Sequence, residues 1–155
     1  MPSYLQIENI SKSYGPKVLF QHIDFNINEG DKVALIAPNG TGKTSLLRIL
    51  AGKDASDSGG KVLFLKDIRI AFLEQEYDYD PEKSIFRQIM DASSQWTAQL
   101  DTDHLWQYEL RVTQLLTQFG LTDPDKPMKD LSGGEVKRVA LTQMLASEAD
   151  FYIMD

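Results

Sequence analysis

One run of eight residues, Ala37-Pro38-Asn39-Gly40-Thr41-Gly42-Lys43-Thr44, limits the possible folds of this chain more than any other stretch. It matches the phosphate-loop pattern G-x-x-x-x-G-K-[ST] at every fixed position but the first, where alanine replaces glycine. The pattern has meaning only between a strand and a helix. Val33-Ala34-Leu35-Ile36-Ala37 is apolar at every position, as a strand covered on both faces is, and it is expected to be the central strand. Leu46, Leu47, Ile49 and Leu50 follow at helical spacing, with Gly52 where a helix would stop.

The chemistry follows from the residue types. A phosphate needs several backbone N–H groups converging on one point, and Gly40 and Gly42 let the chain bend tightly enough to aim them. Asn39 and Thr41 complete the loop, and the helix after it adds its positive end. Lys43 is placed to reach the β- and γ-phosphates, the Thr44 hydroxyl to enter a Mg²⁺ shell, and Ser45 to add a phosphate hydrogen bond. A polar strand-to-helix turn with no ligand is the bland alternative, and Ala37 gives it some weight.

The other segments suit an α/β chain. Leu5, Ile7 and Ile10 suggest a first strand, and Ile23, Phe25 and Ile27 alternate with polar residues as a half-buried strand does. Asp54 to Gly60 reads as a small polar linker before two further strands, Lys61 to Leu65 and Ile68 to Leu73, joined at Lys66-Asp67. Ser84 to Phe119 carries a helical pattern in two pieces, a first with Ile85, Ile89 and Met90 and a longer one from Leu105 to Phe119 stopped by Gly120, and another helix is expected from about Gly133 to Ser147. The 155 residues suit one domain or a piece of one.

Leu131-Ser132-Gly133-Gly134-Glu135 opens that last helix, with Ser132 and Glu135 spaced as a capping box. Taken alone, this is a well-made helix start. Together with Ala37 to Thr44 it resembles the ATP-binding-cassette (ABC) family, whose Walker A motif the first segment matches and whose LSGGQ signature the second matches, with Glu135 in place of glutamine. The resemblance covers the whole chain. It implies a P-loop NTPase of the ABC nucleotide-binding-domain type, with ATP and Mg²⁺ as cofactors. Within it, residues 1–83 would form a β-rich and phosphate-loop core, 84–130 a helical subdomain, and 131–155 the signature helix and Walker B strand.

The same resemblance assigns roles to single residues. Tyr14 matches the aromatic that stacks on adenine, with Val18 packing beside it, and Gln75 falls at the Q-loop position that contacts Mg²⁺ and the attacking water. Phe151 to Asp155 resembles Walker B, so Asp155 would orient the metal's water shell. Ser132, Gly133, Gly134 and Glu135 would face the nucleotide of a second cassette in a head-to-tail pair. The family's catalytic glutamate is expected immediately after Asp155, so the chain reads as truncated after the Walker B strand and close to inactive alone, although its parent hydrolyses ATP. His22 and His104 read as structural or surface residues.

Lys17-Val18-Leu19-Phe20, Leu73-Glu74-Gln75-Glu76 and the glutamate-bearing signature resemble the ABC-F subfamily, whose members carry two cassettes on one chain and act on ribosomes and translation. Two alternatives stay open: the ATPase subunit of a membrane transporter docked on a permease, and an interaction module that ATP merely closes. The net charge of −7 disfavours broad polyanion binding. No run approaches the roughly 20 apolar residues of a membrane-spanning helix, the chain has no cysteine, and the expected location is cytoplasmic.

Overall fold

The computed structural model describes residues 1–155. The chain divides into two compact units, one of Met1–Phe72 with Asp150–Asp155 and one of Leu73–Ala149. No helix is long and apolar enough to cross a membrane.

The first unit is built on a long hairpin, β1 (Ser3–Tyr14) against β2 (Lys17–Asn28), with β3 (Lys61–Phe64) on the other side of β1. Both pairings are antiparallel. Leu5, Ile7 and Ile10 are the buried residues of β1, a spacing that strict alternation would not give. A register shift between Ile7 and Ile10 resets the phase, and Asn9 within it takes a left-handed φ of 53°; His22, in the next shift on β2, takes one of 48°. The distortion is held by side chains: Asp24 accepts from the Asn9 N–H at 2.7 Å and Ser11 Oγ from the His22 N–H at 2.9 Å. His22 Nδ1 also meets Asn9 Oδ1 at 2.7 Å.

The segment Asp54 to Gly60 is bound tightly to β1. Ser11 N–H donates to Ser56 Oγ at 3.0 Å, Ser13 N–H to Asp57 Oδ2 at 2.7 Å, and Ser58 Oγ to the Asn9 carbonyl at 2.5 Å. Gly60 is required by this approach, since a Cβ there would lie 2.1 Å from the Asn9 carbonyl oxygen. Helix α1 (Lys43–Leu50) buries Leu46, Ile49 and Leu50 against Leu5, Ile7, Ile10 and Ile153. A two-stranded sheet pairs β4 (Ile70–Leu73) with β5 (Phe151–Met154), and the Arg69 carbonyl accepts from the Asp150 N–H at 2.8 Å.

One expectation is corrected. Val33 to Ala37 is not a central strand: residues 31–38 form no strand, neither sheet includes them, and Val33 and Ile36 are 66% and 91% exposed. Apolar sequence favours burial, but a strand exists only where neighbouring strands take up its N–H and C=O groups, and the five strands of this chain are paired elsewhere.

The second unit is helical: α2 (Ile85–Ala92), α3 (Ser94–Thr97), α4 (Thr102–Gln118) and α5 (Gly133–Ala146) surround Ile85, Ile89, Tyr108, Val112, Leu116, Leu121, Met128 and Val139. The two helical pieces expected between Ser84 and Phe119 correspond to α2 and α4, with the short α3 added between them. Ser84 and Asp101 each cap a fresh start, accepting from Arg87 N–H and His104 N–H. Tyr108 Oη, buried, meets Ser93 Oγ at 2.7 Å at the break between α2 and α3. Gly120 takes φ 77° just beyond α4, as a helix stop does.

Candidate functional site

The phosphate loop occupies the irregular backbone between residue 37 and α1. Gly40 and Gly42 both lie in the left-handed region, at φ 78° and 99°, and Gly42 is the N-cap of α1. Glycine has no Cβ to be penalised there. At Gly42 space also demands it, because a Cβ would sit 2.9 Å from Leu19 Cβ and 3.2 Å from Phe20 Cδ1. Strand β2 thus lies directly against the loop.

Three contacts draw the turn end of the hairpin onto the phosphate loop and the start of α1. Lys17 Nζ donates to the Gly40 carbonyl at 3.1 Å, Leu19 packs at Gly42, and Tyr14 Oη lies 3.5 Å from Ser45 Oγ. Tyr14 and Val18 are 57% and 51% exposed, so an aromatic face and an aliphatic neighbour are presented to solvent beside the loop. Lys12 Nζ lies 5.5 Å from the Tyr14 ring centroid and is anchored by Asp54 at 3.0 Å, which holds its ammonium above the usual lysine range.

Within the loop, Lys43 Nζ donates to the Ala37 carbonyl, and Thr41 Oγ1 donates to the Pro38 carbonyl at 2.6 Å. Asn39 is exposed on the loop. Thr44 Oγ1 donates to Asp155 Oδ1 at 3.2 Å, joining the first turn of α1 to the residue that ends β5. That pair is an oxygen set suited to a hard cation; no group of three or more His, Cys, Asp or Glu residues gathers into a metal cage. Mg²⁺ is usually held by one or two protein oxygens, with water and substrate phosphates completing its shell, so the residues present fit MgATP. The start of α1 also has no side-chain cap and no acidic residue in its first turn, leaving its N–H groups to an anion.

The remaining expected residues belong to the second unit. Gln75 is exposed, and its carbonyl accepts from Lys137 Nζ of α5 at 3.2 Å. At the start of α5, Ser132 Oγ accepts from Glu135 N–H at 3.2 Å while Glu135 Oε1 accepts from Ser132 N–H at 3.1 Å, completing the capping box. The Ser132 N–H holds the Glu135 carboxyl below its ordinary range, aided by Lys126 at 3.6 Å. A Cβ at Gly133 or Gly134 would meet nothing within 4 Å, so this helix start faces open space.

Sequence reasoning missed Lys17 and Lys12 as individual residues. The available signal was their position: both lie within three residues of Tyr14, on the two strands that its turn joins.

A family profile described as "ABC transporter" matches residues 20–155. The chain belongs to this family. Among its curated relatives, the uncharacterized ABC transporter ATP-binding protein YfmR of Bacillus subtilis is 30% identical over 99% of the chain and 29% of its own length. The aliphatic sulfonates import ATP-binding protein SsuB 3 of Rhodococcus jostii is 33% identical, over 99% of the chain and 53% of its own length. The ribosome protection protein VmlR of Bacillus subtilis is 30% identical over 98% and 26%. Among solved structures, an inward-facing putative metal-chelate type ABC transporter superposes with TM-score 0.78 at 27% identity, over 99% of the chain and 61% of that one. The chain therefore spans between about a quarter and about half the length of these curated relatives. Its fold is that of an ABC ATP-binding domain.

Proposed function

We propose that this chain binds MgATP, with its phosphates held by the loop from Ala37 to Thr44 and by Ser45, and that it is part of an ATP hydrolase. The observation that carries this reading is the hairpin closed over an uncapped helix start, with Lys17 at Gly40, Leu19 at Gly42 and Tyr14 at Ser45. In this reading Lys43 turns from the Ala37 carbonyl to phosphate oxygens, and the helix N–H groups bind the same anion. Thr44 and Asp155 take places around Mg²⁺, while Tyr14 and Val18 hold the adenine. Bound Mg²⁺ supplies charge neutralisation for phosphoryl transfer to water.

Ser132, Gly133 and Gly134 then serve the nucleotide of a second cassette, for which the open space around both glycines leaves room. The test is calorimetric titration of the 155-residue chain with MgATP. Saturable binding by the unaltered chain, lost in Lys43→Ala, is expected; equal binding by the two would sink the reading.

For the whole protein we favour the ABC-F role, a cytoplasmic tandem-cassette ATPase acting on ribosomes. The glutamate of the signature, the acidic stretch from Glu74 to Glu82 and the relative named as a ribosome protection protein support it. The importer-type relative SsuB 3 supports the other reading, an ATPase subunit docked on a membrane permease. Sedimentation of the whole protein through sucrose with purified ribosomes and ATP separates them. Co-sedimentation is expected, and recovery with a membrane permease instead would replace the ribosomal assignment.

A further inference from the structure

The hairpin carries two lysines near its tip that behave differently. Lys12 is spent on carboxylates: Asp54 at 3.0 Å and Asp57 at 3.7 Å neutralise it, and its side chain is 12% exposed. Lys17, the first residue of β2, pairs in register with Tyr14 across the turn at Gly15-Pro16. Its ammonium is exposed and meets only a neutral partner, the Gly40 carbonyl at 3.1 Å. In a chain with 23 acidic residues against 16 basic ones, an ammonium left without a carboxylate beside a phosphate loop is conspicuous.

The surroundings favour an anion at this place. Lys17 Nζ is the only atom that a Cβ on Gly40 would meet within 4 Å, at 3.8 Å, so the ammonium stands at the lip of the loop and the space beside Gly40 is otherwise open. Lys43 and the helix N-terminus bring positive charge to the same corner, where the Asp155 carboxylate on Thr44 is the acidic group placed to share a metal ion. A lysine ammonium is a compact charge with three rotatable donors on a flexible stem, so it can keep one bond to the loop and give another to a phosphate oxygen.

We propose that Lys17 is a second phosphate-binding cation of this site, acting from the hairpin side while Lys43 acts from within the loop. This rests on the loop reading given above and goes beyond it by assigning a charge contact to the β-hairpin. The pairing with Tyr14 puts the base platform and the second cation at one level of the hairpin, so the hairpin would grip a nucleotide at both ends.

The test is competition by MgATP and by magnesium tripolyphosphate, which has no base or ribose, against a fluorescent ATP analogue bound to the 155-residue chain. Lys17→Gln is expected to weaken both competitors by a similar factor, about five- to tenfold, as loss of one charge-assisted hydrogen bond does. Lys17→Arg, which keeps the charge, should restore both to within about twofold. Affinity for tripolyphosphate unchanged in Lys17→Gln would overturn the proposal, as would a loss that Lys17→Arg fails to restore, which marks a purely structural brace. If the unaltered chain binds neither competitor, or Lys43→Ala changes neither, the loop reading itself falls. If Lys43→Ala abolishes binding while Lys17→Gln leaves it intact, only the role of Lys17 falls.

Discussion

The two glycine-bearing helix starts of this chain are built in opposite ways. Helix α1 begins at Gly42 in a left-handed conformation with no side chain capping it, while α5 begins at Ser132 in extended backbone with a complete reciprocal capping box. The first leaves its N–H groups unmet and places lysines around them. The second satisfies two of its own with Ser132 and Glu135 and draws a carboxylate into its first turn. A helix start that carries its own cap is stable alone and offers a ligand only what remains, whereas an uncapped one is completed by its ligand. The difference explains why the first has the stronger claim to an anion held by this chain itself.

The largest expected effect is at α1. Lys43→Ala should lower MgATP affinity by roughly 10- to 100-fold, the scale of a lost charged hydrogen bond, with little change in the thermal midpoint without nucleotide. An unaltered titration would remove the contrast between the two helix starts. Gly42→Ala comes next: φ 99° and the 2.9 Å approach to Leu19 Cβ should cost about 1–3 kcal/mol in denaturant unfolding. A neutral result would mean that the hairpin does not press on the loop as described.

At the other start, Ser132→Ala should cost about 1 kcal/mol and leave the chain's own MgATP affinity unchanged, separating the cap from the nucleotide site. The smallest effect concerns pH. The Glu135 carboxyl is held below its ordinary value chiefly by the Ser132 N–H, so its stabilising contribution is complete above the ordinary carboxylate range and fades as pH falls through the depressed value. The difference in melting midpoint between the unaltered chain and Glu135→Gln should therefore shrink on acidification from neutral pH; a gap that stays constant would show that the carboxylate's charge contributes nothing to this cap.

Legibility in the sequence followed the range of the interactions. The capping box at Ser132 and Glu135, the stop at Gly120 and the left-handed glycines of the loop are local, so residue type and spacing were enough to find them. The bulge at Asn9 was half visible. The apolar spacing 5, 7, 10 in β1 departs from alternation, but only His22 and Asp24 across the hairpin show where the extra residue sits. Asp54 to Gly60 looked like a linker because its polar residues give no sign of the partners they find on β1, forty-odd positions earlier.

Val33 to Ala37 shows the limit most sharply. Its composition expresses a tendency to leave water, whereas strand formation needs a hydrogen-bonding neighbour, which no property of the segment itself supplies. By itself the sequence determined which residues could hold phosphate, because the chemistry of Gly40, Gly42, Lys43 and Thr44 is written in their types and order. Only the tertiary structure brought Asp155 to Thr44 across 111 positions and Lys17 to Gly40 across 23, because such meetings depend on how strands pair and helices pack, and side-chain chemistry alone does not encode them.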